Sequence, residues 1–100
     1  MLIVTGYIHV APSDAAAFLS EMAAFAEAAR ARDGCLFFAV APEDIGEGRM
    51  LVAERWRDQA ALTAHLGAEE TAAFVARWQA RMRDDIAKFD AANARTLMAS

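Results

Sequence analysis

The sequence has little cysteine, lysine or proline. Its 100 residues include one cysteine and two prolines, and Lys88 is the single lysine beside nine arginines. A lone cysteine cannot form an internal disulfide, so we expect a reducing compartment and a cytoplasmic protein. No Cys/His cluster has metal-ligand spacing, and no glycine-rich phosphate loop is present. The residues therefore offer no obvious metal or nucleotide site.

Positive charge and long apolar runs are also scarce. The net charge is −4 and no arginine cluster stands clear of acidic residues, so we expect no nucleic-acid partner. The apolar runs are too short to span a membrane, and the first residues lack the basic start of a signal peptide. The chain is 57% apolar, which predicts a globular protein, and its length suits a single domain over residues 1–100.

Hydrophobic periodicity predicts three helices and four strands. The helices are predicted at residues 14–32, 59–66 and 69–88, and the strands at 2–10, 35–41, 49–57 and, weakly, 93–99. Ser13 and Asp58 are the predicted caps of the first two helices. The order β-α-β-β-α-β predicts an α+β protein of the ferredoxin-like class with an antiparallel four-stranded sheet.

Apolar side chains occur on both faces of the predicted sheet. In the first strand Leu2 and Val4 lie on one face, whereas Ile3 and Tyr7 lie on the other. Helices cover only one face of such a sheet, and a free apolar face favours aggregation. We therefore expect a homodimer packed sheet to sheet, with Tyr7 and His9 at the interface.

One stretch of sequence matches a known pattern. The residues Glu54-Arg55-Trp56-Arg57-Asp58 followed by Leu62 and His65 resemble the Glu-x-Trp-x-(Asp/Ser)-x-x-x-Leu-x-x-His motif of the antibiotic biosynthesis monooxygenase family. Asp33-Gly34-Cys35 resembles the usual start of the second strand in that family. The order of elements agrees along nearly the whole chain.

The resemblance implies a dimeric α+β barrel with a pocket between the helices and the sheet of each subunit. Several members of the family oxidise phenols, quinols or aromatic polyketides with O2 and use no cofactor. Another branch degrades heme and carries an asparagine on the first strand, where this chain has Gly6. A second histidine, frequent in quinol oxidisers and in the isomerase branch, is replaced here by Glu69-Glu70-Thr71, so its role is either missing or performed by Glu70.

Three residues of the motif are the predicted catalytic group. His65 is either a general base for a phenolic hydroxyl or a packing residue near the Gly67 turn. Trp56 is either an aromatic wall for a planar substrate or a core residue. Glu54 interrupts an apolar strand face, so it is either a pocket carboxylate that meets His65 or substrate, or an ion-pair partner of Arg77, Arg81 or a partner subunit's arginine.

Phe38, Phe74 and Trp78 are predicted core residues that also line any aromatic-binding cavity. Together with the resemblance, these residues predict a cofactor-independent monooxygenase that oxidises a small quinol- or phenol-like aromatic with O2. Two alternatives stay open at this point. One is an isomerase on the same fold, and the other is a small-molecule-binding or stress-response protein without catalysis.

Overall fold

A computed structural model describes all residues, 1–100. The chain forms four strands and three α-helices, with short 3₁₀ turns at Pro12–Asp14 and Ile45–Glu47. In chain order they are β1 (Leu2–Val10), α1 (Ala15–Arg30), β2 (Cys35–Asp44), β3 (Arg49–Trp56), α2 (Gln59–Leu66), α3 (Glu69–Trp78) and β4 (Met82–Asp90). No helix is both long enough and apolar enough to cross a membrane.

The strands form one antiparallel sheet in the order β2-β3-β1-β4. This arrangement confirms the predicted ferredoxin-like class, in which α2 and α3 together occupy the place of the second helix. In the centre of the sheet, Val4 lies opposite Glu54 of β3 and opposite Lys88 of β4. The same row continues to Phe38, which lies opposite Glu54 on β2.

The core lies between the helices and one face of the sheet. Alternation in β1 and β3 directs every second side chain to this face, and the spacing of apolar residues in α1 directs one helix stripe towards it. Burial of this surface is the main driving force of the fold. The largest fully buried side chains are Trp56, Trp78, Phe18, Met50 and Val52.

The third helix is shorter than the sequence predicts, and the last strand lies elsewhere. The predicted helix over 69–88 is wrong after Trp78, because the chain turns there and returns as β4. The predicted strand at 93–99 is also wrong, since residues 91–100 form no regular element. The order of element types stays as predicted because one segment replaces the other as the fourth strand.

One of the two predicted helix caps is confirmed. Asp58 caps α2, because its Oδ1 accepts a hydrogen bond of 2.9 Å from the backbone N–H of Ala61. Ser13 does not cap α1. It lies inside the 3₁₀ turn, and α1 begins after Asp14, whose side chain makes no capping bond.

The outer face of the sheet, away from the helices, carries exposed apolar side chains. Phe37 on β2, Leu51 on β3 and Phe89 on β4 are 43%, 45% and 54% exposed. Arg55 places its guanidinium 5.0 Å from the centre of the Phe37 ring. The apolar side chains on this face are therefore not covered by the chain's own helices.

Gly6 allows β1 and β4 to approach closely. Its backbone has φ +152°, and a Cβ atom at this position would lie 2.0 Å from the carbonyl oxygen of Asp85. No L side chain fits there without displacement of β4. An asparagine like that of the heme-degrading branch would not be accommodated at this point of the strand.

Candidate functional site

Trp56 joins the two ionisable residues of the predicted catalytic group. Its ring is fully buried at the end of β3. The indole N–H donates a hydrogen bond of 2.8 Å to Oε1 of Glu54. The face of the indole stacks on the imidazole of His65, with ring centres 4.7 Å apart and planes inclined by 28°. The three motif residues therefore form one cluster.

His65 is positioned by both ends of α2. The helix begins at the Asp58 cap, only two residues after Trp56, so its last turn returns over the end of β3. The hydroxyl of Thr71 donates a hydrogen bond of 2.6 Å to the backbone carbonyl of His65 and ties that turn to α3. The imidazole is buried, with only 4% of the residue exposed. A helix of eight residues is thus fixed at both ends.

Glu54 and His65 both line a cavity of about 260 Å³ between the sheet and α2. Five apolar side chains form most of its wall, and Lys88 completes it. The lining residues are Val4, Glu54, Leu62, His65, Leu66, Ile86, Ala87 and Lys88. No hydrogen bond or ion pair joins Glu54 to His65 directly, so both remain available to a bound molecule.

Burial determines the charge of His65. Loss of solvation, with a smaller contribution from the positive charge of Arg32, lowers the pKa of His65 to about 4. The imidazole is therefore uncharged near neutral pH, with only one of its two nitrogens protonated. Its Nδ1 atom is buried without a hydrogen-bond partner. Aromatic contacts hold the ring instead, since Phe25 and Phe38 approach it edge-on at 5.5 and 5.8 Å.

Burial has the opposite effect on the acid. Loss of solvation raises the pKa of Glu54, and the hydrogen bond from Trp56 offsets part of this rise. The alternative ion pairs with Arg77 and Arg81 are wrong. Arg77 pairs with Glu21, and Arg81 pairs with Asp14. Glu54 has no cationic partner within the chain, so it is a poorly solvated carboxyl group beside a cavity.

The predicted substrate-binding aromatics lie deeper in the core. Phe38 contacts the His65 ring edge-on but does not line the cavity. Phe74 and Trp78 pack with Phe18 between α1 and α3, at ring distances of 5.6 and 5.1 Å from it. The structure therefore places Phe38 next to the Glu54–Trp56–His65 cluster and the other two away from it. Their part in substrate binding stays a prediction.

His65 also lines a second hollow of about 340 Å³. Three alanines and four ionisable side chains form its wall, and both of its arginines have acidic partners. Arg57 binds both carboxylate oxygens of Asp33, at 3.2 and 3.0 Å. Arg32 pairs with Glu70 at 2.8 Å. No group of three or more His, Cys, Asp or Glu side chains is arranged to hold a metal ion.

Two residues of the site region differ from sequence expectations. The sequence predicts Lys88 at the end of a helix, but β4 directs it to the cavity, where its Nζ donates a hydrogen bond of 2.8 Å to Oε1 of Gln59. Glu70, which occupies the place of the family's second histidine, points away from the cavity towards Arg32. That pairing lowers the pKa of Glu70. Glu70 does not join Glu54 and His65.

The sequence profile of the antibiotic biosynthesis monooxygenase family matches residues 1–77, more than half of the chain. This protein is a member of that family. The matched region runs from β1 to the next-to-last residue of α3 and contains the whole Glu54–Trp56–His65 cluster, whereas β4 and Lys88 lie beyond it. No curated protein matches the chain in sequence.

Solved structures of bacterial proteins share the fold. A candidate antibiotic biosynthesis monooxygenase of Deinococcus radiodurans superposes with a TM-score of 0.88 at 24% identity, covering 99% of this chain and 100% of its own. A similar candidate from Caulobacter crescentus gives 0.84 at 25% identity, with 92% and 90% covered. A Pseudomonas aeruginosa protein gives 0.80 at 27% identity, with 92% and 94% covered.

Proposed function

We propose that this protein is a cofactor-independent monooxygenase that oxidises a small quinol- or phenol-like aromatic with O2. One observation carries the proposal. Glu54 and His65, the two groups of the motif able to accept a proton, line the same largely apolar cavity. Such a cavity suits a planar aromatic molecule, and perturbed ionisable groups in a pocket are typical of reactive sites.

The first step of the proposed reaction is removal of a hydroxyl proton. The lowered pKa of His65 keeps its imidazole in the form that accepts a proton. Proton transfer would create an imidazolium beside a phenolate, and their attraction in a largely apolar cavity offsets the cost of charging a buried ring. The raised pKa of Glu54 makes it a stronger base than an ordinary carboxylate, so it is the alternative acceptor.

The second step is electron transfer from the phenolate to O2. The aromatic anion is electron-rich, so the substrate itself supplies all the electrons. One oxygen atom enters the ring as a hydroxyl group, and the other leaves as water with two hydrogens of the quinol. The product of a hydroquinone would be the hydroxyquinone. The protein's contribution is to hold the anion and exclude bulk water.

The role proposed for Trp56 is to position the acid and the base at once. Its N–H fixes the carboxyl of Glu54, and its ring face fixes the imidazole of His65. Because the indole is fully buried, it contacts the two reactive groups and not the cavity itself. We therefore expect Trp56 to act through Glu54 and His65.

We further propose that two copies associate through the outer face of the sheet. The exposed Phe37, Leu51 and Phe89 support this arrangement, because three of the four strands present a large apolar side chain on the face that the helices leave uncovered. Sedimentation velocity should give twice the chain mass. A monomer at micromolar concentration would contradict the proposal, and Leu51→Glu should weaken the association.

The test of the activity is O2 uptake by chelator-treated protein with hydroquinone as substrate, followed by mass spectrometry with labelled O2. His65→Ala should lower the rate by about a hundredfold, as expected for loss of a general base. His9→Ala, a change in the chain's other histidine, serves as the matched control. It should leave the rate unchanged, and sedimentation velocity on this variant should show that the association of the two copies is also unchanged.

An unchanged rate in His65→Ala would overturn the assignment of the base. Turnover of a substrate under argon would instead support the isomerase alternative. Binding of hydroquinone without turnover, insensitive to the His65 change, would support the non-catalytic alternative.

A further inference from the structure

Glu54 and Lys88 lie on either side of Val4 in one row across the sheet. Both are paired with Val4, Glu54 from the β3 side and Lys88 from the β4 side. Two inter-strand spacings separate their backbones, which is roughly 10 Å. All three residues line the cavity, so Val4 forms an apolar floor between an acidic end and a basic end.

Lys88 makes no ion pair. The seven ion pairs of the chain use arginine as the cation, and Lys88 bonds only to the neutral amide oxygen of Gln59. Glu54 is likewise without a cationic partner and accepts only the indole N–H. The two charged groups therefore face the same cavity from opposite ends without neutralising each other.

We infer that the cavity binds hydroxyaromatic molecules that carry an anionic group, preferably a carboxylate, on the side of the ring opposite the hydroxyl. The hydroxyl would lie at the Glu54 and His65 end, and the carboxylate would accept a hydrogen bond from Nζ of Lys88. This inference names the substrate class and so rests on the proposed function for its biological meaning. Its binding geometry does not require turnover.

The chemistry of the two ends gives this orientation. A carboxylate placed beside Glu54 would meet a second acid in a poorly solvated position, which is unfavourable. At the other end it meets an ammonium group that is already held in place by Gln59, whose own amide nitrogen donates to Thr63 at 3.0 Å. A para-substituted benzene ring is short enough to fit between the two ends over Val4.

The experiment compares two probes of nearly equal shape, 4-hydroxybenzoate and the uncharged 4-hydroxybenzamide, by isothermal titration calorimetry under argon at pH 7 and low ionic strength. The intact protein should bind the carboxylate about tenfold or more tightly than the amide, which is the range of a charge-assisted hydrogen bond. Lys88→Gln should remove this preference and leave the affinity for the amide unchanged. Lys88→Arg should restore most of it.

Arg83→Gln is the matched control. It removes one positive charge from the same strand. Arg83, however, lies opposite His9 in the strand register and on the outer face of the sheet. The preference for the carboxylate should survive this change. Because Lys88 is exposed, its substitution should not affect folding, and the amide probe reports directly on the integrity of the cavity.

Equal affinity of the intact protein for the two probes would overturn the inference, as would failure to bind either one. An equal loss for both probes in Lys88→Gln would do so as well. If the preference depends on Lys88 but hydroquinone causes no O2 uptake, the ligand class is supported and the monooxygenase proposal fails. Oxygen uptake without any carboxylate preference would support the monooxygenase proposal and overturn the ligand class.

Discussion

The two tryptophans of this protein have the same local arrangement and different surroundings. Both are fully buried, and each donates its indole N–H to a glutamate, Trp56 to Glu54 at 2.8 Å and Trp78 to Glu21 at 2.7 Å. Glu21, however, also pairs with Arg77. The carboxylate beside Trp78 is thus neutralised, whereas the one beside Trp56 is not.

The difference separates a hydrogen bond inside a neutralised, packed cluster from one whose acceptor lines a cavity. A second arginine, Arg81, lies 4.0 Å from the centre of the Trp78 ring and closes that side of the core. At Trp56 an uncharged histidine stacks on the ring instead of a cation, and that histidine and Glu54 line a cavity. Only the Trp56 region leaves an acid and a base facing open space.

Replacement of either tryptophan by alanine should show that the two contribute equally to the stability of the protein. Trp56→Ala and Trp78→Ala should each lower the free energy of unfolding by about 3–5 kcal/mol, because each leaves a large cavity in the core. Urea denaturation monitored by circular dichroism measures this loss. The comparison would break if one substitution proved nearly neutral, since both rings are fully buried.

Acid should destabilise the Trp56 region through His65. Because its pKa falls from 6.5 to about 4 on folding, the unfolded chain binds more protons between these values. The free energy of unfolding should therefore decrease as the pH drops from 6.5 to 4, by up to about 3 kcal/mol. Urea denaturation across this range should give a smaller decrease for His65→Phe.

Glu54 complicates that measurement in a defined way. Its pKa is raised in the folded protein, so its contribution to stability is present at low pH and is lost as the pH rises above 4.5. The effect opposes that of His65. The proteins with His65 and with His65→Phe should therefore be compared in a Glu54→Gln background. Identical dependence of the free energy of unfolding on pH would refute the assignment of the acid destabilisation to His65.

Of the two glutamates that accept an indole N–H, only Glu21 should destabilise the protein when its charge is removed. Glu21→Gln should lower the free energy of unfolding at pH 7 by about 0.5–1 kcal/mol, because it removes a partly exposed ion pair. Glu54→Gln should raise it or leave it unchanged, because an amide avoids the cost of a poorly solvated charge and still accepts the indole N–H. A loss of stability in Glu54→Gln would show that its charge is compensated after all.

Most of the fold follows from the sequence, and the error at the C-terminal end has a simple cause. Met82 and Ile86 are four residues apart, a spacing that places two side chains on one face of either a helix or a strand. They also continue the apolar stripe of Trp78. No glycine or proline lies between Trp78 and β4 to mark the end of the helix.

The site is partly predictable for a similar reason. The spacing of Glu54, Trp56 and His65 places two of them on one face of a strand and the third on the next helix, so their proximity follows from local geometry. Lys88 is different, because it is far away in sequence and reaches the cavity only through the pairing of β1 with β4. Periodicity within a segment carries no information about such a partner.

Gly6 has a consequence for how this protein can vary. Gly6 lies opposite Ile86 of β4, and Lys88 is two residues further along that strand. A methyl group at Gly6 would push the edge strand β4 outwards. A change at a residue that does not line the cavity would therefore shift Lys88. The spacing between Glu54 and Lys88 across Val4 thus depends on a residue that has no side chain and does not line the cavity.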